Sequence, residues 1–142
     1  MKGSYCLIIN LRDDKTIKIG KKLGNIQFKQ GYYVYVGSAM NSLFGRIKRH
    51  LSDEKKLHWH VDYLLKNAEI TDVIYNESTK KIECELSDYL SHTTEGITDF
   101  GCSDCDCESH LYFFKNRKDA IESVENAYNS IAMEFKYLKD EI

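Results

Sequence analysis

The chain contains no proline, so no proline-rich linker divides it and its elements must end at glycines, capping residues or changes of hydrophobic period. No apolar run approaches the roughly 20 residues that a membrane-crossing helix needs, which excludes one. The opening MKGSYCLIIN also lacks the basic region, long apolar region and small-residue exit of a secretory leader, so a cytoplasmic protein is expected. Cysteine is sparse and odd in number: Cys6, Cys84, Cys102, Cys105 and Cys107 make a poor disulfide framework and point to free thiols in a reducing compartment. What remains is 142 residues of ordinary hydrophobic content, the size of one domain that buries its own core.

Charge is unevenly spread. Residues 1–60 carry 12 Lys+Arg against 4 Asp+Glu, net +8, whereas 61–142 carry 8 against 18, net -10. Clustered cations can replace the counterions condensed on a nucleic acid, while the acidic remainder keeps the whole soluble. Solvated surface charge explains the same counts without a partner.

Residues 4–10, SYCLIIN, have the β-branched and aromatic content of a strand, and LRDDKT reads as a turn. TIKIG and NIQFK, separated by the glycine-bearing KKLG, form a hairpin, and GYYVYVG between Gly31 and Gly37 reads as a buried strand. The period then becomes helical: Leu43, Phe44, Ile47 and Leu51 share a stripe, with Asn41 or Ser42 as cap. Further helices are expected over 58–67 and 80–92, and further strands at ITDVIY and HLYFF. From the cap Asn116, the residues Ile121, Val124, Tyr128, Ile131, Phe135, Leu138 and Ile142 keep a three-four spacing that predicts an amphipathic helix of about six or seven turns. It would pack on its own sheet or join two copies as a homodimer. The expected fold is α/β (α+β), a small mixed sheet flanked by helices with an extra hairpin. A main domain over 1–115 would carry a helical extension over 116–142.

On the first long helix Arg46 and His50 stand four apart and share a side, with Arg49 beside them. Such a cationic face next to a strand bearing Tyr32, Tyr33 and Tyr35 suits a phosphodiester held against a phenol, because arginine offers phosphate a planar, permanently charged fork. A solvated basic helix face is the competing reading.

The segments GSY at 3–5, YVG at 35–37 and GRIKRH at 45–50 resemble the two strand motifs and the catalytic helix of the GIY-YIG nucleases, a family that includes phage homing endonucleases and the incision domain of bacterial nucleotide excision repair. GYYVYVGSA, HWHVDYLL, IEC and FGCSDCDCESHLYFF further resemble small prokaryotic GIY-YIG-like proteins, some of them joined to an endonuclease III-type glycosylase. The likeness spans about 3–114. It departs from the nucleases in Ser4, where isoleucine is common, in the hairpin that separates the motifs, and in lacking a clear counterpart of a late asparagine.

The resemblance implies a metal-dependent endonuclease acting on DNA (or RNA), with a DNA-repair partner. Tyr5 and Tyr35 would be the paired phenols, one of them activating or ordering water, Arg46 would bind the scissile phosphate, and His50 would assist in proton transfer or phosphate binding. Gly37, Ser38, Lys48 and Arg49 would contact the nucleic acid. Glu83, with Glu85 as alternative, would hold one Mg2+ or Mn2+. His58 would be an added catalytic residue, since His58 and Asp62 stand four apart, although histidines bonded around Trp59 fit equally well. Cys102, Cys105, Cys107 and His110 offer four ligands for zinc, but the spacing is tighter than in paired knuckles, and a loop of buried thiols is the alternative. Two rivals to the nuclease are therefore a catalytically weak or inactive nucleic-acid-binding module on the same fold and a cysteine-loop metal-binding structural protein.

Overall fold

A computed structural model describes residues 1–53, 56–101 and 109–138. Twelve elements follow one another within these residues: β1 (Gly3–Leu11), β2 (Lys15–Lys18), α1 (Gly20–Leu23), β3 (Asn25–Phe28), β4 (Gly31–Ala39), α2 (Leu43–Leu51), α3 (His60–Leu65), β5 (Glu69–Glu77), α4 (Glu83–Ser91), β6 (Leu111–Phe114), α5 (Arg117–Ser130) and β7 (Lys136–Tyr137).

Five strands form one sheet in the order β6-β4-β1-β5-β7, and β2 pairs with β3 as a separate hairpin. The α/β class is as expected. The sheet, expected to be mixed, is antiparallel at every pairing, because each strand's return path lets its neighbour run the opposite way. β1 lies at the centre and is buried on both faces, which is why SYCLIIN has no charged residue.

The two faces of the sheet carry two cores. Tyr5, Leu7, Ile9, Tyr33 and Tyr35 meet Leu43 and Ile47 of α2, Val61 and Leu64 of α3, and the apolar side of the hairpin. Cys6, Ile8, Val34 and Val36 meet Leu86 and Leu90 of α4 and Ala120, Val124 and Tyr128 of α5. Strand alternation alone divides these residues between the layers. Ser42 caps α2 by accepting a hydrogen bond from the Gly45 N–H at 3.1 Å, and Asn116 caps α5 through the Asp119 N–H at 2.9 Å.

The long C-terminal helix is corrected. α5 ends at Ser130, Ala132 takes a left-handed φ of 55°, and the chain turns so that Lys136 and Tyr137 pair with Tyr75 and Ile74 at the sheet edge. The apolar spacing continued past the break because Phe135 stacks on Tyr128 and Leu138 packs against the first core. Residues 139–142 lie outside the described residues. Within the described residues the apolar stripe of α5 is used by its own sheet.

Candidate functional site

β6 pairs with Tyr32 to Tyr35 of β4, and the Val36 N–H donates to the His110 carbonyl just ahead of β6 at 2.9 Å, so the ladder ends there and Gly37 and Ser38 lie beyond it. A cleft of roughly 360 Å³ lies there. β1 and β4 supply Tyr5, Tyr35, Gly37 and Ser38 to its wall, α2 supplies Arg46, the turn into α3 supplies His58, Trp59 and His60, and the approach to α4 supplies Lys81 and Glu83. Four groups separated by up to 78 residues in the sequence, the two phenols, the guanidinium and the carboxylate, therefore open on one groove.

Register explains the motif glycine. Tyr5 pairs directly with Gly37, and the tyrosine ring folds over that glycine. A Cβ at position 37 would lie 2.5 Å from both Cζ and Oη of Tyr5, closer than atoms pack.

Behind the cleft wall, Tyr5 Oη lies 2.7 Å from Nε2 of His50. His50 is only 2% exposed and touches the rings of Tyr5, Tyr35 and Trp59. The expected cationic face of α2 is thus corrected: Arg46 reaches the cleft, but His50, one turn later, turns inward to the sheet. Burial raises the pKa values of Tyr5 and Tyr35, against a smaller lowering by Arg46, so both are neutral phenols at neutral pH.

The two arginines of α2 have different tasks. Arg46 donates from Nη1 to the Ser38 carbonyl at 2.9 Å and lies over the Trp59 ring at 4.7 Å, with no carboxylate partner among the described residues. Its charge is held in place on the wall of the cleft. Arg49 instead grips Asp62 with both nitrogens at 3.1 Å and lies 4.3 Å from the same indole. The buried Asp62 also accepts from the backbone N–H groups of His58 and Trp59. Burial pushes its pKa up, but the hydrogen bonds from Arg49 and the two amides outweigh it and hold the carboxyl below its ordinary range. Arg49, expected to bind nucleic acid, is therefore a structural partner of α3. Lys48 is exposed and does not line the cleft, whereas Ser38 and Gly37 do.

The expected pairing of the His58 and Asp62 side chains is absent, since Asp62 takes the backbone of His58, while the imidazole lies 5.2 Å from the Trp59 ring at the rim of the cleft. His60, which the sequence left behind His58, is better fixed. Its Nδ1 accepts from the Gly101 N–H at 2.8 Å, so in the neutral ring the proton is on Nε2. Burial, and then Lys22, lower its pKa and keep it neutral.

Glu83 and Glu85 are now distinguished. Glu83 lines the cleft with its side chain 17% exposed and pairs with Lys81 at 3.3 Å, whereas Glu85 is 45% exposed, points to Lys80 and does not line the cleft. His110 also reaches the cleft, its Nδ1 2.7 Å from Ser87 Oγ, and burial lowers its pKa. Cys102, Cys105 and Cys107 lie outside the described residues. Trp59, His60 and Lys81 are the site residues that sequence reasoning undervalued. The signal for Trp59 was its place between two histidines just after a basic helix.

A family model, described as a domain of unknown function, DUF123, matches residues 4–133, which takes in α5 as well as the segments ahead of it. No curated protein and no solved structure matches the chain.

Proposed function

This chain belongs to the DUF123 domain family, and we propose that it is a metal-dependent endonuclease that hydrolyses phosphodiester bonds of DNA. The observation that carries this reading is the convergence of Tyr5, Tyr35, Arg46 and Glu83 on one cleft. Its likeness to the GIY-YIG nucleases in GSY, YVG and GRIKRH supports it, and the likeness to proteins joined to endonuclease III-type glycosylases points to repair, with another repair protein as partner.

Magnesium or manganese would be held by Glu83, the carboxylate that lines the cleft, because such a cation keeps most of its water and needs only one or two carboxylates beside the substrate phosphate. When bound, such a cation supplies charge stabilisation at the phosphate and acidifies water. Arg46 binds a non-bridging oxygen and stabilises the charge that grows there, its fork already aligned by Ser38 and Trp59. Tyr5 orients the attacking water. In the tautomer of His50 that carries its proton on Nδ1, Nε2 accepts from the Tyr5 hydroxyl, so the phenol takes the proton of that water as it passes its own to Nε2. Tyr35 remains a neutral donor on the same wall.

Conversion of supercoiled plasmid to nicked circles in magnesium or manganese tests the reading, with chelated samples as control. A product that forms equally with chelator, or none on plain, branched or damaged duplex, overturns it. The Lys81–Glu83 pair favours a second reading, since an ammonium already neutralises the carboxylate. A binding module of that kind shows salt-sensitive association with DNA or RNA and no metal-dependent product.

A further inference from the structure

The hairpin of β2 and β3 has no part in the cleft chemistry, yet it is the most one-sidedly charged segment of the chain. Lys15, Lys18, Lys21, Lys22 and Lys29 fall within 15–29 with no Asp or Glu among them. All five are exposed, and none forms an ion pair with a described residue. Some surface cations elsewhere are paired, Arg12 with Glu69, Arg117 with Asp72 and Lys80 with Glu85, while exposed lysines such as Lys48 and Lys66 stand singly among the described residues. What sets the hairpin apart is that five such charges are gathered in fifteen residues with no acid among them. Clustered on one supersecondary unit, five like charges sum to a local positive potential that attracts a polyanion more strongly than scattered single lysines do.

We propose that this hairpin and its connecting turn α1 are a docking surface for the sugar-phosphate backbone of duplex DNA beside the cleft. The proposal rests on the nuclease reading, whose substrate it extends beyond the scissile bond. Alternation sets the contact face: Ile17 and Phe28 sink into the core, which turns Thr16, Lys18, Asn25 and Gln27 outward. Ammonium, hydroxyl and amide groups are the donors that phosphate oxygens take. No aromatic ring is on that outer side, so it lacks the stacking platform that single strands require. Four strand residues run about 13 Å, and duplex DNA presents one charge per roughly 1.7 Å, so several phosphates pass within reach.

The position is also right. Gly20, where α1 begins, lies against the ring of Tyr63, with an added Cβ 3.7 Å from its Oη. Tyr63 is one helical turn from His60, which lines the cleft, and Lys22 is near enough to His60 to help lower its pKa. The basic turn is thus anchored next to the groove rather than on a remote face.

The test is fluorescence anisotropy of labelled duplex DNA, in chelator so that nothing is cut, across a salt series for the wild type and the triple variant K18Q/K21Q/K22Q. Melting temperatures of the two should agree, because all three side chains are exposed. The expected result is at least about tenfold weaker binding for the variant and a log K against log salt slope reduced by about 2 to 3. Equal affinity and slope overturn the proposal, as does a wild type that prefers single-stranded DNA or duplex RNA as competitor. A wild type that cuts DNA but binds it without help from the lysines sinks the docking surface and spares the nuclease. Lysine-dependent binding without a metal-dependent product does the reverse.

Discussion

The hydroxyl of Tyr5 meets Nε2 of His50 at 2.7 Å inside the core, joining groups 45 residues apart behind the wall of the cleft. In the proposed mechanism this contact makes the phenol that faces the cleft one end of a proton path whose other end is the buried imidazole. Tyr5→Phe keeps the ring and its contacts but removes the path. The expected outcome is a loss of about 10²–10⁴ in cleavage rate, with about 1 kcal/mol of stability. Adding His50→Gln to Tyr5→Phe should cost little more activity, since the two act as one unit; additive losses in single-turnover rates would contradict the relay.

Gly37→Ala places a methyl group 2.5 Å from the Tyr5 ring. Overpacking of this kind costs about 1–3 kcal/mol and should displace the phenol, so activity falls together with the urea midpoint. Combining it with Tyr5→Leu should restore much of the stability and none of the activity. That separation shows the glycine is needed for the tyrosine and not for the backbone alone.

Arg46 and Arg49 should give opposite phenotypes. Arg49→Ala leaves the Asp62 carboxylate buried without its cation, and the expected cost is about 2–3 kcal/mol, less than for a fully buried pair because Arg49 is partly solvated. The folded-state pKa of Asp62 is depressed, so the pair's contribution is present above the ordinary carboxylate pKa of about 3.9 and is lost as pH falls through the lowered native value. Denaturation of the wild type and Arg49→Ala should therefore differ most near neutral pH and converge in strong acid.

Glu83→Gln should raise the magnesium concentration needed for half-maximal cleavage by at least about tenfold, since even changes behind a metal ligand cost about 10–100-fold. Glu85→Gln should not, because that side chain is turned to Lys80 and away from the cleft. Lys81→Gln removes the ammonium 3.3 Å from Glu83 and should lower the magnesium requirement. A titration of rate against metal for the three variants checks all of these directions.

The central strands, the cap at Ser42 and the stripe of α2 were legible because composition and period report burial directly, and β1 and β4 are buried along nearly their whole length. The end of α5 was not. No glycine or proline marks it, and Ile131, Phe135 and Leu138 satisfy a helical spacing while serving a turn and an edge strand. At the site, the residue types were readable but their directions were not. A four-residue interval puts Arg46 and His50 on one side of a helix, yet only the packing of α2 on the sheet decides that one reaches the cleft and the other the core. Likewise the spacing of His58 and Asp62 could not reveal that a backbone amide and Arg49 would take the carboxylate first.

Cleavage of duplex DNA under single-turnover conditions, by the wild type and by Arg46→Ala in saturating magnesium, bears most directly on the cleft as a phosphodiesterase site. Arg46 has its charge fixed by Ser38 and Trp59 and no carboxylate partner among the described residues, so its loss should leave the melting temperature nearly unchanged. The rate should fall by about 10²–10³, the size expected for removing one fixed donor to a developing oxyanion. Equal rates for the two proteins would contradict the account.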